Sequence, residues 1–243
     1  MERKAHMNGP ARRMLTVIGP VRMAYNDAFA LQKRLVERVL ASEGRENLLV
    51  LIEHPAIITI GRSGSEAQVL ADGELLREQG VAVVRTNRGG KATLHSPGQL
   101  VAYPVIDLKA RGSDLHRYLR ELEKWLVRLL EGYGIRADVE ASRTGVWAGG
   151  GKIASIGIAV RRWVAYHGVA LNVSTDLELF ELIVPCGLEG VRMTSMAELF
   201  RSGKVAGSAP EFAEVAERAA ALFAEEFGFA GVVRQARAEA GIA

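Results

Sequence analysis

One cysteine in 243 residues excludes an internal disulfide, so Cys186 is either a small buried apolar residue or a working nucleophile. A lone thiol also fits a reducing compartment and cannot build a thiolate-rich metal site. His54, His95, His116 and His167 fall on separate segments without paired ligand spacing, so no metal is expected. Runs of apolar residues are short. The longest are Leu48 to Ile52 and Ala56 to Ile60, far below the roughly 18 residues that span a bilayer. Met1 to Arg13 is polar and lacks the apolar stretch of a secretory signal. The expectation is therefore a cytoplasmic protein away from membranes. There is no fixed-period repeat and no Pro/Ser-rich linker, which points to one α/β core: residues 1–14 form a tail and residues 15–243 a single domain. The formal charge of +3 and pI of about 9.1 lack the dense basic stripe of a nucleic-acid module.

What is present is ample core material, 49% hydrophobic against 24% charged residues, with patterning that places the elements. Leu15 to Ile18 reads as a strand closed by Gly19-Pro20. From Met23 to Ser42, Ala28, Leu31, Leu35 and Val39 recur at helical spacing. Leu48 to Ile52 is short and wholly apolar, the pattern of a strand buried on both faces. Ile57 to Ile60 is a further strand, leading into the basic loop Gly61-Arg62-Ser63-Gly64-Ser65. Val81 to Val84 reads as another buried strand. After Ser113 as N-cap, Leu115, Tyr118, Leu119, Leu122, Leu126 and Leu129 make the clearest amphipathic helix, ending at Gly132. Ile153 to Val160 and Trp163 to Val173 read as consecutive strands joined at Arg161-Arg162. Ser195 with Glu198, and Ser208 with Glu211, have capping-box spacing and announce two helices, which form a small C-terminal appendage on this reading.

Three stretches carry candidate chemistry. In Arg88-Gly89-Gly90-Lys91-Ala92-Thr93-Leu94-His95, adjacent glycines let backbone N–H groups approach a ligand, and Thr93 and His95 share one face of an extended segment. Gly149, Gly151 and Ala154 fit a dinucleotide fingerprint, but that motif must open a helix and a strand follows. Lys152 is not a P-loop lysine either, since Val146 stands where glycine is required and Ile153 where Ser or Thr is. A lysine there is ordinarily a solvated edge charge; it gains interest only beside Cys186. Residue type alone favours a buried, inert Cys186, but Pro185 and Gly187 around it read as a sharp turn able to present a sulfur.

Taken together, His54-Pro55, Gly61-Arg62, Arg88-Gly89-Gly90 with Thr93 and His95, Pro97-Gly98-Gln99-Leu100 with Tyr103-Pro104, Lys152-Ile153-Ala154, His167-Gly168 with Ala170-Leu171-Asn172-Val173, and Pro185-Cys186-Gly187 resemble the lipoate-protein ligase B family from about Leu15 to Phe227. Ser96 departs from the pattern, standing where the family commonly has glycine. The resemblance implies the fold of biotin and lipoate ligases, a mixed sheet flanked by helices. It also implies transfer of an octanoyl group from the acyl carrier protein thioester to a lysine of lipoyl domains, those of 2-oxoacid dehydrogenase complexes and the glycine cleavage H protein, by a monomer without cofactor. Cys186 would be the nucleophile and Lys152 its proton partner. Arg88, Gly89, Gly90, Lys91, Ala92, Thr93, Leu94 and His95 would line the acyl pocket with Ser155, Ile156, Gly157, Gly168, Val169 and Ala170. An ATP-dependent lipoate or biotin ligase of the same fold, or an inactive carrier-binding homologue, would tolerate loss of Cys186; a transferase would not.

Overall fold

A computed structural model describes residues 13–140, 143–185 and 190–242. In chain order the elements are β1 (Leu15–Arg22), α1 (Tyr25–Ala41), β2 (Leu48–Glu53), β3 (Ile57–Ile60), α2 (Gly73–Glu78), β4 (Ala82–Arg85), β5 (Ala92–His95), β6 (Gln99–Val105), α3 (Leu115–Glu131), β7 (Ala137–Glu140), β8 (Arg143–Ala148), β9 (Gly151–Arg161), β10 (Val164–Asn172), α4 (Met196–Arg201), α5 (Phe212–Glu226) and β11 (Val232–Gln235).

Eight strands form one mixed sheet in the order β11-β1-β2-β6-β10-β9-β8-β7. β1 runs parallel to both β11 and β2, and every other neighbouring pair is antiparallel. β2 has its five apolar residues fully buried, because helices cover both faces of the sheet. Ala28, Leu31, Leu35 and Val39 of α1 pack on Ile18, Val50, Val101 and Tyr103. On the other face, α3 and α5 meet over Leu49, Leu51, Ala102 and Val169, with Trp125 donating its indole N–H to the Ala219 carbonyl at 3.1 Å. The three-stranded sheet β4-β3-β5 closes over a third cluster that includes Ile58, Leu94, Phe180 and Met193.

Several boundaries differ from the sequence expectation. β1 does not stop at Gly19-Pro20 but continues through a cis peptide to Arg22, re-pairing with β2 after a register shift. β4 is an outer strand and not a buried one, with Val83 39% exposed, since only β3 pairs with it. The N-cap of α3 is Asp114, whose carboxylate accepts from the Arg117 N–H at 3.0 Å; Ser113 has φ +53. Ser195 caps α4 as its spacing requires, whereas α5 starts after Glu211 without a side-chain cap, and Ser208 stays outside it. α4 and α5 are no appendage: Met196, Leu199, Val215, Ala219 and Phe223 are integral to the main core. Tyr118 and Trp125 are core residues, as their helical spacing implied.

Candidate active site

The site grows from the central antiparallel pair. β10 lies against β9 with Ala170 opposite Ser155 and Gly168 opposite Gly157. A Cβ on Gly168 would meet the Ala102 carbonyl oxygen at 2.2 Å, so only glycine lets β10 pass β6 this closely. Across β9 runs the loop that precedes β5, pinned by the Gly89 N–H to the Ile158 carbonyl at 2.8 Å. The loop after β3 docks alongside it, through Arg62 N–H to the Arg88 carbonyl at 3.0 Å and Ser63 N–H to the Gly90 carbonyl at 3.2 Å. The Arg88 side chain is buried and donates to the Thr59 carbonyl and hydroxyl at 2.6 and 2.8 Å. It fastens the loop to β3.

These strands and loops enclose a cavity of about 440 Å³. Residues 88–93, His95, residues 155–157, residues 168–170 and Lys152 all line it. Leu94 does not: it faces the opposite side of β5, into the third core cluster, as alternation along a strand demands for the residue between Thr93 and His95. Tyr25, Val101, Leu119 and Thr144 also line the cavity. Sequence reasoning missed them because they arrive from α1, β6, α3 and β8, and no local pattern marks a residue that happens to border a void.

Part of the wall is polar and neutral. His95 points Nδ1 at the Gln99 side-chain carbonyl at 2.8 Å, and Gln99 donates its amide to Asn172 at 2.9 Å and to the Leu94 carbonyl at 3.2 Å. Because Gln99 presents its oxygen, His95 carries its proton on Nδ1 and Nε2 is an acceptor. His54 donates Nδ1–H to the Met23 carbonyl at 2.7 Å and accepts the Tyr103 hydroxyl at Nε2. His167 donates to Asn87, which in turn holds the Tyr166 hydroxyl. Burial lowers all three imidazoles: His54 to about 4, His167 to about 3, and His95 well below the ordinary value, aided by its neighbours His54 and Arg88. They are uncharged at neutral pH, and His95 and His167 present that neutral surface to the cavity.

Lys152 is not a solvated edge charge. It is 2% exposed, with Nζ donating to the Thr144 carbonyl at 3.0 Å and standing 5.0 Å from the centroid of the Trp147 ring. Its backbone is clasped by the strand-like run that follows Gly190, through Lys152 N–H to the Arg192 carbonyl at 2.8 Å and Thr194 N–H to the Lys152 carbonyl at 3.0 Å. Cys186, with Gly187, lies outside the described residues; Pro185 before it and Gly190 after it are described. Among the described residues no group of acidic, histidine or cysteine side chains is arranged to hold a metal ion, and no helix is long and apolar enough to cross a membrane.

The site is thus a cavity lined by strands of a mixed sheet, with a buried lysine on its wall. The chain matches the family model of the lipoyl protein ligase A/B catalytic domain over residues 24–224. It is 46% identical over 210 residues to an octanoyltransferase of Geobacter sulfurreducens, covering 86% of this chain and 83% of that one. A Geobacter sp. (strain M21) octanoyltransferase is 50% identical over 175 residues, covering 72% and 81%. Lipoate-protein ligase A bound with ATP shares the fold, with a TM-score of 0.70 at 20% identity over 93% of this chain and 89% of that one. The chain belongs to the lipoyl protein ligase A/B catalytic domain family.

Proposed function

We propose that this chain is an octanoyltransferase that moves an octanoyl group from an acyl carrier protein thioester to a lysine of a lipoyl domain, with Cys186 carrying the group between them. The observation that carries the reading is the buried Lys152 ammonium on the wall of an apolar cavity, in a chain close to half identical to named octanoyltransferases. In the first step the Cys186 thiolate attacks the thioester carbonyl carbon. The tetrahedral adduct collapses by breaking the bond to the carrier's sulfur, and that thiolate takes a proton from Lys152. In the second step an acceptor lysine, as free amine, attacks the Cys186 thioester, the C–S bond breaks, and an amide forms while Cys186 returns as thiolate. The amine's surplus proton passes to Lys152.

A free thiol titrates at about 8.5, so an adjacent ammonium both favours the thiolate and relays the proton. Passing from thioester to amide is downhill, and no nucleotide is needed. The acyl chain stays in the cavity while carrier leaves and acceptor arrives, sheltered from hydrolysis by the exclusion of water. On this reading the catalytic domain spans residues 15–243 and acts as a cytoplasmic monomer, and its acceptors include the lipoyl domains of 2-oxoacid dehydrogenase complexes and the glycine cleavage H protein.

The test is to mix the protein with octanoyl-carrier and no acceptor. An octanoyl adduct on the peptide that contains Cys186, chased by adding a lipoyl domain, supports the mechanism. No adduct, or equal turnover by Cys186→Ala, refutes it, and a requirement for ATP in the same assay would replace it with the ligase reading.

A further inference from the structure

A peptide group accepts a hydrogen bond from the Lys152 ammonium, and that group is gripped from its other end. Thr144 supplies the carbonyl that accepts from Lys152 Nζ at 3.0 Å, and the N–H of the same peptide, on Gly145, donates to Glu123 Oε1 at 3.1 Å. Glu123 projects from α3 into the protein and is 1% exposed. A buried carboxylate and a buried ammonium thus face each other across a single peptide unit, whose dipole runs from one to the other. Its N–H end meets the negative group and its C=O end the positive one, the favourable sense at both contacts.

The sheet is irregular at this peptide. Pairing of β7 with β8 slips between Asp138 and Glu140, and pairing of β8 with β9 slips between Val146 and Trp147. Such irregularities release backbone groups from the ladder and re-aim side chains near functional sites. Gly145 has φ +134, and a Cβ there would sit 2.6 Å from Lys152 Cε, so this position both bends the strand and makes room for the lysine stem. The other charges nearby leave the bridge intact: Arg120 pairs with Glu123 from its solvent side, and Arg143, on the cavity wall, pairs with Glu140.

We infer that Glu123 is a positioning residue, which fixes and polarises the Thr144–Gly145 peptide so that its carbonyl holds Lys152 at the acyl cavity. This rests on the reading of Lys152 as proton partner of Cys186. Glu123→Gln leaves one acceptor oxygen for two donors, the Gly145 N–H and Arg120, and removes the charge; Glu123→Asp keeps the charge but falls a methylene short.

The experiment measures kcat and KM for octanoyl transfer, the rate of Cys186 alkylation by iodoacetamide, and thermal melts, in Glu123→Gln, Glu123→Asp, Lys152→Ala and Glu123→Gln/Lys152→Ala. Glu123→Gln should lower kcat about ten- to a hundredfold and slow alkylation, with KM unchanged within about twofold. Glu123→Asp should fall between it and the wild type. In the Lys152→Ala background the Glu123 change should have no further effect on alkylation, because it acts through the lysine. Wild-type kcat in a folded Glu123→Gln or Glu123→Asp protein, with Lys152→Ala slow, would overturn the proposal and leave the lysine reading standing. So would an equal loss with and without Lys152. Wild-type kcat and alkylation in Lys152→Ala would overturn both.

Discussion

Lowering the pH should destabilise this protein before most of its carboxylates are protonated. His54 and His167 titrate in the folded state at about 4 and about 3, and His95 is also held low, against about 6.5 in an unfolded chain. As pH falls through 6.5 the unfolded chain binds protons that the folded chain refuses. The stability these groups contribute is therefore complete above 6.5 and lost progressively toward their folded values. Between about pH 7.5 and 5 the loss is about 2 kcal/mol for His54 and about 2 kcal/mol for His167, with His95 adding in the same direction. Out of a total stability of roughly 5–15 kcal/mol this is a large share. Near the transition, about 4 kcal/mol is a fall in melting temperature of roughly 8–16 °C for a chain of this size. Glu198 and Glu226, whose carboxyls sit low beside Arg201 and beside Lys124 and Arg128, contribute only at lower pH and do not confuse the window. Urea melts at a series of pH values measure the effect. His54→Gln should be weaker at pH 7.5, since it loses the bonds to Met23 and Tyr103, but its stability should decline less steeply, by about 1.4 kcal/mol per pH unit below 6. Equal stability of the wild type at the two pH values would refute the burial argument.

The Ser96 hydroxyl is buried without a hydrogen-bond partner among the described residues, so Ser96→Ala should leave stability unchanged or raise it by about 1 kcal/mol in urea melts; a loss would show that the hydroxyl is satisfied. Gly168→Ala should cost about 3 kcal/mol or more, or abolish soluble expression, because the added methyl group meets the backbone of β6. Acidic protein substrates should be steered by the exposed Arg62 and Lys91, so kcat/KM should fall several-fold from low to high ionic strength. Arg161 is already paired with Glu37, and Arg88 is fastened to Thr59, so Arg161→Gln should leave that salt dependence nearly unchanged. A flat dependence in the wild type would refute the steering.

The central strands could be read from the sequence because burial on both faces leaves an unmistakable apolar run, as in Leu48 to Ile52. The β9–β10 hairpin was legible for a related reason: a long β pattern broken only at Arg161-Arg162. β4 misled because Val81 to Val84 has the same composition as a central strand, and only its place at the edge of a small sheet leaves it exposed. The cap of α3 falls one residue past the expected Ser113, on Asp114, a residue type that caps equally well. Ser113 and Asp114 are adjacent, and local spacing does not say which one turns its side chain back to the helix. β11 carries little apolar signal of its own, since it gains its place by pairing with β1 at the far end of the chain. Within the site, segments 88–95, 155–157 and 168–170 were visible as motifs, and the cavity takes all of them except Leu94. Lys152 was visible, but its burial was not. Nothing local to Gly151-Lys152 shows that Arg192, Thr194 and Thr144 will close around it.

The cavity wall and the buried lysine are built by different means. The cavity wall uses the antiparallel pairing of β9 with β10, in which small residues, Gly157, Gly168 and Ala170, make space, while the Ile158 carbonyl turns to the Gly89 N–H and the His167 N–H to the Gln32 side chain. Such a wall is rigid and indifferent to charge, as a holder of an alkyl chain should be. Lys152 instead stands where β8 loses register with both its neighbours, so that backbone dipoles are available to a charge that regular pairing would have left unsolvated. The two regions are joined by a chain of side chains: His95 to Gln99, Gln99 to Asn172, and Asn172 to the Thr194 carbonyl at 2.9 Å, with the Thr194 N–H on the Lys152 carbonyl. Every link in it is buried, so a break anywhere strands an unsatisfied polar group and is resisted by a penalty larger than the bond itself is worth. The position of the cavity wall is thereby tied to the backbone of Lys152.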